Sequence, residues 1–179
     1  MKALLIIDVQ NDFIKGGALA VPDAEQVTPV INELMDKFDL VLATQDWHPQ
    51  KSVHFKKWPI HCVAGSKGAE FPPELHKKKI NQVFHKGTGD RDDGYSTFEA
   101  TNIKPVDYLK KRGISDLYLC GIALEYCVKS SALDALKEGF KVFLIRDAIA
   151  NFSKEEEKIA GEYAELQGAG AQIITSAQV

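Results

Sequence analysis

A chain of 179 residues, 45% hydrophobic and 26% charged, is long enough for one substantial domain spanning residues 1–179. Its net charge of −3 excludes the basic field that gathers nucleic acid, and the apolar stretch Ala3–Ile7 before Asp8 is too short for a signal peptide or a membrane span. The three cysteines (Cys62, Cys120, Cys127) are an odd number at irregular spacings, which argues against a disulfide framework and for a cytoplasmic protein.

Lys2–Asp8 reads as a buried parallel strand, because its apolar run is continuous rather than alternating. Asn11–Val21, with Gly16-Gly17, reads as a loop. Pro22 suits the first position of a helix, and Val27, Val30, Ile31 and Leu34 recur at helical spacing, so a helix is predicted from Pro22 to about Phe38. Leu40–Thr44 is a second strand. From Gln45 to about Lys79, Pro49, Pro59, Gly65, Gly68, Pro72 and Pro73 interrupt every pattern, and so long a loop within one domain usually carries function. A third strand is predicted at Asn81–His85, followed by a Gly- and Asp-rich loop through Tyr95-Ser96. Helix Pro105–Arg112, strand Asp116–Cys120, helix Glu125–Glu138, strand Lys141–Ile145, helix Lys154–Gln167 and strand Gln172–Thr175 complete the chain. This alternation predicts an α/β fold, a mostly parallel sheet with helices on both faces. The runs Lys77–Lys79 and Glu155–Glu157 read as solvated surface, the glutamates suiting a first helical turn.

Asp8, Lys86 and Cys127 each fall past an apolar run, Ala3–Ile7, Val83–His85 and Leu117–Cys120 respectively. In a parallel sheet all three emerge at the carboxyl edge, where open α/β sheets bind ligands. Cys127 sits in the first turn of a helix, where free N–H groups and the helix dipole favour a thiolate and can hold an oxyanion. A buried cysteine is more often a small hydrophobe, and that plain reading is taken for Cys62 and Cys120. Asp8 and Lys86 have a structural reading too, as a buried salt bridge. The chemical reading uses the same contact: Asp8 takes the thiol proton and Lys86 holds both in register, a coupled system. The segment His61-Cys62-Val63-Ala64-Gly65-Ser66-Lys67-Gly68 looks like a phosphatase loop, but the position that needs a phosphate-clamping arginine is Gly68.

A second constellation lies in the long loop. Asp46 and His48 are two residues apart, on one side of an extended segment, and His61 can return as a third ligand. One carboxylate and two imidazoles suit a divalent ion, Zn²⁺ first, with Fe²⁺ and Mn²⁺ as alternatives. His54 is a candidate for a further ligand or a neighbour; His76 and His85 are assigned no role.

Together these residues resemble the nicotinamidase/pyrazinamidase family of the isochorismatase-like cysteine hydrolase superfamily. The resemblance runs through Ile7-Asp8-Val9-Gln10-Asn11-Asp12-Phe13, Gln45-Asp46-Trp47-His48-Pro49, Trp58-Pro59-Ile60-His61-Cys62-Val63, His85-Lys86-Gly87-Thr88, Tyr95-Ser96-Thr97-Phe98 and Gly121 to Val128. It implies a three-layer αβα sandwich with a six-stranded sheet. It makes Asp8, Lys86 and Cys127 the catalytic triad, Ala123 and Cys127 the oxyanion hole, and Asp46, His48 and His61 the ligands of one metal ion that binds the pyridine nitrogen. It also implies Phe13, Leu19, Trp58 and Tyr95 as residues lining the substrate, and a non-proline cis peptide at Ile122–Ala123. The implied reaction is hydrolysis of nicotinamide, and of pyrazinamide, through a cysteine thioester; the implied partner is that small substrate, with no nucleic acid and no membrane, and with monomer and homo-oligomer both open. Leu124-Glu125 departs from the Thr-Asp or Thr-Glu frequent in the family, and Asp90, Arg91, Asp92 and Asp93 add charge beside the pocket rim. The rival chemistries are another amidase of the superfamily and a hydrolase in which a metal-activated water is the nucleophile.

Overall fold

A computed structural model describes residues 1–179. Six strands, β1 (Lys2–Ile7), β2 (Val41–Asp46), β3 (Gln82–Lys86), β4 (Asp116–Gly121), β5 (Lys141–Ile149) and β6 (Gln172–Ile174), form one sheet in the order β3-β2-β1-β4-β5-β6. Every neighbouring pair is parallel, so the predicted mostly parallel sheet is wholly parallel. The α-helices are α1 (Val27–Met35), α2 (Pro105–Lys111), α3 (Lys129–Lys137) and α4 (Glu156–Gly168).

The composition of β1 follows from its central place. Ala3 to Ile7 are each at most 1% exposed because both faces of the strand are covered. Leu4 and Ile6 pack into one core with Ile31, Leu34 and Met35 of α1. Ala3, Leu5 and Ile7 pack into the other with Leu109 of α2, Ala132 and Ala135 of α3 and Leu166 of α4. Burying each of the larger side chains contributes about 1.5–3 kcal/mol relative to exposure. The result is helix, sheet, helix in three layers.

Several element boundaries differ from the sequence reading, β5 most among the strands, since it runs to Ile149 past the predicted end at Ile145. Helix α1 does not open at Pro22: Asp23 is left-handed (φ 56°), a short 3₁₀ turn covers Ala24–Gln26, and the regular helix starts at Val27. Strands β2 and β3 extend to Asp46 and Lys86, past the predicted ends at Thr44 and His85. After β4 the chain makes a turn of π-helix, Leu124–Val128, before α3 begins at Lys129. In that turn the Val128 N–H reaches back five residues to the Ala123 carbonyl, at 3.1 Å.

The chain runs outward from β1 through β2 to β3, then crosses to β4 on the other side of β1. The crevice between the ends of β1 and β4 is therefore a topological switch point. Gly121 closes β4 there with φ 112°, and a Cβ at that position would lie 2.1 Å from the Ile7 carbonyl oxygen.

Candidate active site

Asp8 leaves β1 with φ 48°, a left-handed conformation rare outside glycine. The adjacent strand holds it there. The Asp8 N–H donates to Thr44 Oγ1 at 3.1 Å, and the Thr44 hydroxyl donates to Asp8 Oδ1 at 2.6 Å. Lys86, the last residue of β3, is fully buried. Its Nζ donates to Asp46 Oδ1 (2.5 Å), to the Gly94 carbonyl (2.9 Å) and to Cys127 Sγ (3.4 Å). The same Nζ stands 2.7 Å from Asp8 Oδ2, in an ion pair that lacks the alignment of a hydrogen bond. Carboxylate, ammonium and thiol, predicted from three separate strand ends, thus meet at one buried point.

Asp46 belongs to this group as well as to the candidate metal trio, a connection the sequence reading did not contain. Asp46 and Lys86 are register partners on adjacent strands, so their side chains leave the same face of the sheet. Burial opposes the charge on Lys86, but the Asp46 and Asp8 carboxylates outweigh it and hold the ammonium well above its ordinary range. Burial likewise opposes the Asp46 charge; Lys86 and His48 overcome it and carry that carboxyl well below its usual value. Asp8 differs, since burial raises it despite the pull of Lys86. Cys127 corrects an expectation: its thiol is pushed well above its ordinary value rather than lowered, because burial outweighs Lys86 and both carboxylates add to the rise. A thiolate here requires a neighbouring base.

The donors Asp46, His48 and His61 come within 4.8 Å of one another, all buried. His48 Nδ1 lies 2.9 Å from the Gly87 carbonyl and His61 Nδ1 lies 2.7 Å from the Pro59 carbonyl. A carbonyl only accepts, so each Nδ1 carries the proton and each Nε2 offers a lone pair. Those Nε2 atoms stand 3.6 and 4.0 Å from Asp46 Oδ2. His48 Nε2 is buried with no hydrogen-bond partner, and burial lowers His61, favouring the neutral imidazole. The donor set fits a divalent ion of the zinc type. His54 stays outside the trio: its Nε2 meets the Asp93 carbonyl at 2.6 Å while its ring lies against His48. Gln10 clamps the backbone of Asp46 on both sides, accepting from its N–H and donating to its carbonyl, each at 2.9 Å. Nothing in residue spacing points to that buried amide.

A cavity of about 420 Å³, counted with its mouth, reaches Cys127, Asp46 and His61. Phe13, Leu19, Trp58 and Tyr95 all line it, as do Ile122, Ala123, Tyr126 and Phe152. Tyr126 and Phe152 were not singled out by sequence; only the aromatic character of residues near Cys127 and β5 hinted at them. The Ile122–Ala123 peptide is cis, and the Ala123 N–H has no acceptor within the protein. Cys62 and Cys120 lie in the core, where burial raises both thiols, and His85 stacks on Trp47.

The isochorismatase-domain model matches residues 2–178. The chain belongs to the isochorismatase-domain family. Among its relatives in that family, the nicotinamidase of Escherichia coli is 37% identical over 98% of this chain and 95% of its own. An L. infantum relative solved in complex with nicotinate superposes with a TM-score of 0.92 at 35% identity, over 99% of this chain and 93% of that one. The pyrazinamidase of Pyrococcus horikoshii, solved with zinc, gives 0.87 at 38% identity, over 97% and 98%. The isochorismatase-like αβα fold read from the sequence is the fold of these structures.

Proposed function

We propose that this protein hydrolyses nicotinamide to nicotinic acid and ammonia through a thioester on Cys127, and acts on pyrazinamide in the same way. The observation that carries this reading is a thiol and a carboxylate on one buried ammonium, beside an aromatic cavity that also reaches three donors able to hold a metal. The relatives named above, with their nicotinate and zinc, support it.

Asp8 accepts the Cys127 proton on Oδ2, the oxygen without a directed hydrogen bond. The sulfur attacks the carboxamide carbon, and the Ala123 and Cys127 N–H groups hold the oxyanion. The C–N bond breaks as Asp8 returns its proton to the departing nitrogen, leaving the thioester. Asp8 then deprotonates a water that attacks the same carbon; the C–S bond breaks, nicotinic acid leaves and Cys127 regains its proton. Throughout, Lys86 balances whichever of its neighbours is anionic. A divalent ion on Asp46, His48 and His61, zinc foremost and Fe²⁺ or Mn²⁺ as alternatives, would anchor the ring nitrogen as a Lewis acid.

The test is ammonia release from nicotinamide by the wild type and by Cys127→Ala, with metal content measured on both. The wild type should turn over, and the variant should lose about 10⁴-fold or more while keeping its metal. Comparable release by the variant would transfer the nucleophile's role to water. Silence from both, with metal loaded, would direct the search to other amides.

A further inference from the structure

Phe152 lines the cavity from a stretch, residues 150–155, that is neither helix nor strand. It packs edge-on against Tyr126 (ring centroids 5.6 Å apart), which in turn packs edge-on against Trp58 (5.2 Å). These rings make one aromatic wall, with Phe152 also near-parallel to Trp58 at 6.3 Å. What fixes Phe152 is a carboxylate two residues before Cys127. Glu125 Oε2 accepts the Phe152 N–H at 3.0 Å, and Oε1 accepts the Ser153 N–H at 2.7 Å. Neither N–H has another acceptor in the protein.

Two bonds to one charged, planar carboxylate fix direction as well as distance. The neighbouring ties lie on either side of this point: the Ala150 carbonyl accepts from Leu124, and Ser153 Oγ accepts from the Glu155 N–H. At Phe152 itself the backbone is joined to the turn that carries Cys127 by Glu125.

We propose that Glu125 is a positioning residue that sets substrate specificity by pinning Phe152 into the aromatic wall of the cavity. The proposal rests on the nicotinamide reading for its substrate. Glu125 touches none of the reacting groups. It fixes the width available to the ring, so it favours a flat, unsubstituted pyridine amide over analogues carrying ring methyl groups. Its loss should weaken substrate binding and selectivity while the chemistry at Cys127 continues.

The experiment compares wild type, Glu125→Gln, Glu125→Ala, Phe152→Ala and the double variant Glu125→Ala/Phe152→Ala. Amide hydrogen exchange is followed at Phe152 and Ser153. Steady-state kinetics use nicotinamide and a set of nicotinamides bearing one methyl group on each free ring carbon in turn. In Glu125→Ala, exchange at both amides should quicken by about tenfold or more, KM for nicotinamide should rise about tenfold, and kcat should stay within about threefold. The preference for nicotinamide over its methylated forms should narrow. The double variant should be no worse than Phe152→Ala, because both substitutions remove one device. Glu125→Gln, of the same shape, should fall between wild type and alanine and reports on the proposal if the alanine variant does not fold. A fall in kcat at constant KM, or additive losses in the double variant, would overturn it. If the wild type releases no ammonia from nicotinamide, the substrate reading fails alone. The exchange rates still decide the positioning: equal rates in wild type and Glu125→Ala would refute it.

Discussion

A single hydroxyl, that of Thr44, fastens Asp8 to the neighbouring strand at both its N–H and its carboxylate. Valine has the same shape and neither capacity, so Thr44→Val leaves a buried N–H and a buried carboxylate oxygen short of partners, a cost of about 1–3 kcal/mol for each unsatisfied group. The expected outcome is a kcat about tenfold lower with KM for nicotinamide little changed, and recovery in Thr44→Ser; a change confined to KM would count against Asp8 as the base. Sequence made Asp8, Lys86 and Cys127 legible because each ends or follows an apolar run, where a polar group demands a reason. Thr44 offered no such signal. A threonine at a strand end is ordinary, and its value depends on which strand lies beside it, a long-range fact.

Among elements, the strands were the most legible, since central parallel strands must be apolar on both faces and so form unbroken runs. Their ends were less so. Placing β2 and β3 two and one residues short hid the pairing of Asp46 with Lys86, which joins the metal site to the thiol. The π-turn after β4 was invisible because it is a single turn at the start of a helix, too short for residue periodicity to tell i→i+5 bonding from i→i+4. The end of β3 carries a further consequence. Gly87 has φ 61°, and a Cβ there would lie 2.5 Å from His48 Cε1. Gly87→Ala must therefore displace the His48 ring whose Nδ1 the Gly87 carbonyl holds. Zinc affinity, measured by competition with a chromophoric chelator, should fall about tenfold or more, in the range seen when a ligand's supporting contact is lost. Unchanged affinity would place the metal elsewhere.

At the scale of the whole molecule, the candidate metal donors join the end of β2 to the loop that returns at His61, a segment with only short 3₁₀ turns of its own. An ion that binds the native arrangement and not the unfolded chain stabilises the fold by mass action, by about 2.7 kcal/mol at a hundredfold excess over Kd. Calorimetry should show a higher Tm with zinc than with chelator, and His61→Ala should abolish the difference; a shift that survives in the variant would refute the site. No helix is long and apolar enough to cross a membrane. The contacts of Lys86 have one more consequence. The same ammonium touches the Asp8 carboxylate and the Cys127 sulfur, at 2.7 and 3.4 Å. When the proposed proton transfer occurs, the negative charge moves from one side of that ammonium to the other, and the interior never has to accommodate a new one. The cation keeps Asp46 and exchanges only its second counter-ion, so arming the nucleophile needs no proton from the surrounding water and gives none back.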